Sequence, residues 1–124
     1  VSEKDIRLAE MLLWVLGPAG LIRLAEKRGG TRLYVPSGEG SSLAREIGSE
    51  AARLLADRYA GFYIRVPLAR ELRARHYRAA GASNAEIARR LGMSESGIDR
   101  LFNAMPSKPV KGSRDPRQSD LFSN

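Results

Sequence analysis

The sequence predicts a mainly α-helical chain with short β-strands, in which a helical dimerisation region carrying the strands precedes a helix-turn-helix DNA-binding region. Three observations predict it. Residues 84–104, NAEIARRLGMSESGIDRLFNA, read as two short helices joined by a tight turn. A helix–strand unit occurs twice, as LAEKRGGTRLYVP from Leu24 and as LADRYAGFYIRVP from Leu55. Positive charge gathers around the candidate helix pair. The implied division is 1–61 for dimerisation, 62–105 for a linker strand plus the reader, and 106–124 for a disordered tail.

The first helix opens at Ser2 and Asp5, a capping pair. Ile6, Ala9, Leu13 and Leu16 make one stripe along it, with Leu8, Leu12 and Val15 beside them. So broad an apolar surface suits a helix buried in a dimer, with Trp14 packed in the interface. Gly17-Pro18 ends this helix and starts another over 19–27, since Gly tolerates the position past a helix end and Pro the first turn. Residues 31–35, β formers between Gly29-Gly30 and Pro36, make a strand. The SGEGSS that follows is a linker, because it lacks the Gly-Lys-Ser/Thr of a phosphate loop. Residues 43–59 are helical with Leu43, Ile47, Ala51, Leu54 and Leu55 inside, and Gly48 allows a close helix approach.

A second strand, 62–66, ends at Pro67, which opens a helix to Ala80 whose Leu68, Leu72 and Tyr77 support the reader. The repeat is offset by 31 residues, from Leu24 to Leu55, and its Leu, Ala, Gly, Val and Pro coincide. An isolated strand leaves its backbone groups unsatisfied, so the two strands pair either within a chain or across a dimer. Proximity to the reader favours the second, Phe62, Tyr63, Ile64, Arg65 and Val66, as the strand that crosses.

In the reader, Ser83 is an N-cap, and Ile87, Ala88 and Leu91 face inward on a helix that stops at Gly92. Ser94 caps the next helix, whose Ile98, Leu101 and Met105 face inward. A small residue at the crossing (Ala88), a turn glycine (Gly92) and an apolar plug (Ile98) meet the packing needs of a helix-turn-helix. An ordinary helical hairpin has the same spacing, and charge separates the two. Lys+Arg number 21 against 14 Asp+Glu, a net +7. Residues 1–61 hold 9 basic and 8 acidic residues, whereas 62–105 hold 8 basic against 4 acidic. Counterion release from a phosphate backbone calls for such a concentration.

Ser94, Glu95, Ser96, Asp99, Arg100 and Asn103 take the groove-facing positions. Arg100 suits guanine and Asn103 adenine, while Glu95 or Asp99 accepts from cytosine or orients Arg100. Arg73, Arg75, Arg78, Arg89 and Arg90 are phosphate-contact candidates. Gly97 inside a helix costs about 1 kcal/mol relative to Ala, which a close backbone approach would explain.

With no cysteine there is neither a disulfide framework nor a thiolate metal site. His76, the one histidine, has no nucleophile or carboxylate partner in the pattern. The expectation is therefore a protein that is not an enzyme and needs no metal or cofactor. No apolar run approaches the roughly 18 residues of a membrane span and no signal-peptide pattern is present, so a soluble, cytoplasmic protein is expected.

The order of these pieces, IGSEAARLLADRYAG as helix, FYIRVP as strand, LARELRARHYRAAG as linking helix and ASNAEIARRLGMSESGIDRLFNA as reader, resembles the Mor transcription-activator family, the middle-operon regulators of transposable phages. The resemblance is clearest over 43–105. It implies a homodimer whose strands pair across the two-fold axis, two reading heads on an imperfect inverted repeat in double-stranded DNA, and activation through host RNA polymerase. The family's Gly-Gly before the strand and Tyr-Ile/Val-Pro at its end match Gly29-Gly30 and Tyr34-Val35-Pro36 better than the second repeat. The tail supports an alternative. Gln118, Asp120, Leu121 and Phe122 resemble the short peptides that bind bacterial sliding clamps, which would make the chain a replication adaptor.

Overall fold

Among the described residues, 2–37 and 41–112 of the computed structural model, the elements run α1 (Glu3–Arg28), β1 (Arg32–Tyr34), α2 (Ser42–Ile47), α3 (Ser49–Tyr59), β2 (Tyr63–Arg65), α4 (Arg70–Ala79), α5 (Asn84–Leu91) and α6 (Glu95–Asn103). The fold is mainly helical with one two-stranded antiparallel sheet. Contacts divide the chain into two units, Val1–Ala69 and Arg70–Asn124. The second strand was expected to belong with the reader. It falls instead in the first unit, because its pairing partner is there.

In the first unit, the Ser2 hydroxyl accepts from the Asp5 backbone N–H at 3.1 Å and caps α1. Gly17 takes φ 74°, ψ 169°, so α1 is two helical runs joined at the Gly17-Pro18 kink. A left-handed residue followed by a proline costs an ordinary side chain strain that Gly avoids. Contrary to the sequence expectation, α1 is long and apolar enough to cross a membrane by length and composition, because the kink does not interrupt its hydropathy. Its Leu12, Leu21, Ile22, Leu24 and Ala25 are buried within the unit, whereas Ile6, Met11, Leu13 and Trp14 are exposed.

The repeat folds as a pseudo-two-fold. Leu33 and Ile64 are equivalent under the offset, and they pair with each other, flanked by Arg32 with Arg65 and Tyr34 with Tyr63. A position that pairs with its own equivalent lies on a two-fold axis. The flanking hydrogen bonds obey the same symmetry. Val35 N–H donates to the Phe62 carbonyl and Val66 N–H to the Thr31 carbonyl, both at 2.9 Å. Gly30 N–H donates to Val66 at 2.8 Å and Gly61 N–H to Val35 at 2.9 Å. The preceding helices end at Arg28 and Tyr59, with near-identical caps at Gly29 (φ −52°, ψ 134°) and Ala60 (φ −51°, ψ 130°). Gly30 and Gly61 then share positive φ, 80° and 86°. Leu24 and Leu55, Leu33 and Ile64, and Val35 and Val66 are buried pair by pair.

Of the two pairings open to Phe62, Tyr63, Ile64, Arg65 and Val66, the structure shows the one within the chain, where the strand had been favoured to cross a dimer. The duplicated unit supplies a complementary strand in cis, and the backbone groups facing it are satisfied there. The helix expected over 43–59 is also two helices. Gly48, at φ 93°, separates α2 from α3 and lets Arg23 approach, its Nη1 donating to the Ile47 carbonyl at 3.3 Å. Arg28 and Glu46 join the end of α1 to α2 through two hydrogen bonds of 2.8 and 2.9 Å. The Arg28 guanidinium holds the Glu46 carboxyl below the usual carboxylate range.

Pro67 does not open a helix. Ala69 has φ 51° and α4 begins only at Arg70. Leu68, expected to support the reader, is exposed and lies over Gly30 in the first unit.

Candidate nucleic-acid interface

The second unit is built on a buried cluster of Ala74 and Tyr77 from α4, Ala82 from the α4–α5 connection, Ile87, Ala88 and Leu91 from α5, Ile98 and Phe102 from α6, and Met105. Ile87, Ala88, Leu91, Ile98 and Met105 are the inward residues anticipated from spacing. Phe102 was missed. It stands four residues after Ile98, and the full i, i+3, i+4, i+7 pattern would have included it; Leu101 is only partly buried.

Each end of the α5–turn–α6 pair is fixed by its own residues. The Ser83 hydroxyl accepts from Glu86 N–H at 3.2 Å and the Glu86 carboxylate accepts from Ser83 N–H at 3.2 Å, a reciprocal capping box. Its signature, Ser followed three residues later by Glu, was legible and overlooked. Gly92 sits at φ 66°, ψ 37°, the left-handed conformation its glycine was read for, and Met93 N–H closes back on the Ala88 carbonyl at 2.9 Å. The Ser94 hydroxyl then accepts from Gly97 N–H at 3.0 Å and starts α6. A Cβ at Gly97 would meet Ser94 Oγ at 3.1 Å and the Met93 methyl at 3.4 Å, so this glycine relieves crowding against its own cap.

With Ile98 and Phe102 turned inward, Glu95, Ser96, Asp99, Arg100 and Asn103 are exposed on the outer face of α6. Ser94 is exposed as well, but its hydroxyl is engaged in the cap and lies 3.2 Å from that of Ser96. Asn103 donates to Asp99 at a long 3.5 Å, so Asp99 is oriented toward Asn103 rather than Arg100.

The arginines divide into two groups. Arg73, expected at phosphate, is only 7% exposed. Its Nε donates to the Tyr77 hydroxyl at 3.2 Å and its Nη2 to the Arg90 carbonyl at 2.9 Å, satisfying an orphan carbonyl in the last turn of α5. Arg78 is half-buried. It donates to the Ala82 carbonyl at 2.9 Å and to the Asn84 side chain, and lies 4.8 Å over the Phe102 ring. Arg75 pairs with Glu71 and donates to the Ser107 carbonyl at 2.8 Å. All three bond within the unit; burial takes Arg73 away from the phosphate surface expected for it, whereas Arg75 and Arg78 keep part of their side chains exposed. Arg89 is exposed, and Arg90 stacks 5.4 Å from the Tyr77 ring. His76 lies edge-on to Tyr77, centroids 5.8 Å apart.

Comparison with protein families, curated proteins and solved structures finds no match. The geometry of the second unit is therefore what bears on function. One further feature belongs to it. Residues 106–112, read as the start of a disordered tail, run back against α4. Gly112 N–H donates to the Arg78 carbonyl at 3.0 Å, and any side chain at 112 would collide with the Ala79 carbonyl. The candidate clamp residues Gln118, Asp120, Leu121 and Phe122 lie outside the described residues.

Proposed function

We propose that this chain is a sequence-specific, dimeric DNA-binding transcription regulator, an activator of phage or prophage genes, in which α5–turn–α6 is a helix-turn-helix and α6 enters the major groove. One observation carries the reading. The face of α6 turned away from the buried cluster presents a guanidinium, an amide, carboxylates and a hydroxyl, all exposed and all from a helix whose first turn is capped. Those are the groups that distinguish base pairs in the major groove. Arg89 and Arg90, at the end of the preceding helix, supply phosphate contacts. Activator sign, phage context and contact with RNA polymerase rest on the resemblance to the Mor family.

Selection of bound sequences from a random duplex library tests the proposal. A regulator enriches a short motif, an imperfect inverted repeat for a dimer, with half-sites about one helical turn apart. Absence of any enriched motif at moderate salt overturns it.

A further inference from the structure

The outer face of the β1–β2 sheet has the chemistry of a binding surface that the α6 reading does not use. Its inner face is filled by Leu33 and Ile64; outward it presents Arg32, Tyr34, Tyr63 and Arg65. Tyr34 is 50% exposed, Tyr63 58% and the adjoining Phe62 66%. Two exposed rings in contact, with a third lining the adjoining groove, are unusual for a surface with no task. Tyr34 and Tyr63 sit edge to face with centroids 5.2 Å apart, and the Arg32 guanidinium stacks 4.3 Å above Tyr63.

The charges are as uneven as the rings. The register sets Arg32 directly opposite Arg65, and like charges at that position destabilise a sheet. Among the described residues neither forms an ion pair. The groove that runs from the sheet beside α1 and α3 adds Lys4 and Arg58, against a single carboxylate, Asp5. A surface that gathers uncompensated cations around exposed aromatic rings is complementary to an anionic chain carrying flat groups.

We infer that this face binds single-stranded nucleic acid. Bases stack on Tyr63 and Tyr34, with Phe62 available in the adjoining groove, while Arg32, Arg65 and Arg58 follow the phosphates. Stacking needs unpaired bases whose faces are free, which a duplex withholds; any base offers such a face, so the surface is tolerant of sequence. The pseudo-two-fold explains the layout, because each repeat contributes one outward arginine and one outward tyrosine to the same small sheet.

The test is fluorescence anisotropy of the full chain with short dye-labelled oligothymidine and, as a second arm, oligouridine; unequal affinity identifies DNA or RNA as the source. Tyr63→Ala is expected to weaken binding about tenfold. Tyr63→Phe keeps the ring and retains affinity. Arg65→Gln lowers the salt slope by about 0.7 for one lost phosphate contact. Arg100→Ala, on α6, leaves single-strand affinity unchanged while weakening duplex recognition, so failure of this inference and failure of the regulator reading are separable. Should Tyr63→Ala fail to fold, Tyr63→Phe together with Arg65→Gln decides. Binding of duplex alone, equal affinity in Tyr63→Ala and wild type, or an equal loss in Arg100→Ala overturns the inference.

Discussion

Arginine is the commonest cation around α4, α5 and α6, and the surroundings of each one decide its work. Arg100 is exposed on α6, so Arg100→Ala should cost about 1–3 kcal/mol on the preferred site and relax preference at one base pair, read by binding to single-substitution operators. Arg89→Ala should act differently, weakening all duplexes alike and lowering the salt slope by about one. Arg73→Ala should leave that slope unmoved in the folded protein. It removes a buried guanidinium bonded to Tyr77 and to the Arg90 carbonyl, so the loss appears in thermal or urea unfolding, at about 1–3 kcal/mol. A drop in salt slope without a stability loss would return Arg73 to the phosphate surface. The sequence RELRARHYRA could not separate these roles by charge. The separating signal was position, since Arg73 shares the stripe of Ala74 and Tyr77 that faces the cluster.

At the level of elements, legibility followed the range of the interactions. The caps at Ser2, Ser83 and Ser94 and the turn at Gly92 were readable because each is settled within four residues of chain. The break at Gly48 was not, because an uninterrupted apolar pattern on both sides concealed it and the reason for it, Arg23, comes from another helix. The partner of β2 was legible only as one of two alternatives, since a repeat states that two strands are alike without stating whether they meet in one chain or across two. The Arg28–Glu46 link makes a prediction at this scale. The folded state holds the Glu46 pKa below its ordinary value near 4.5. Its contribution is therefore complete above that value and is lost as pH falls through the lowered one. Both side chains are about a third exposed, which limits the pair to about 0.5–1 kcal/mol. Glu46→Gln should lower stability by that amount at neutral pH and by progressively less toward pH 3, measured by urea unfolding across the range. A constant difference at every pH would mean that the amide loses packing rather than charge.

For the whole molecule, the pseudo-two-fold changes where a dimer interface should be sought. The sheet is completed by β1 and β2 of one chain, so a second copy is not needed to pair either strand's inner edge. One apolar surface left uncovered is the N-terminal run of α1, where Ile6, Met11 and Leu13 are exposed and Trp14 is 78% exposed, with the Arg58 guanidinium 5.7 Å from its ring. Burying these side chains against a second copy would place the apolar face of α1 in the setting its sequence pattern describes, at about 25 cal/mol per Å² of apolar surface removed from water. The chain is therefore expected to sediment as a dimer. Leu13→Asp with Trp14→Asp should give a monomer whose helix content is unchanged, because neither residue is part of the buried core. Ile64→Pro is the contrasting change. It removes a ladder donor and a buried side chain together, and should lower the melting temperature of the first unit in monomer and dimer alike. If the double aspartate variant stays dimeric while Ile64→Pro becomes a well-folded monomer, the strands join the two copies and α1 does not.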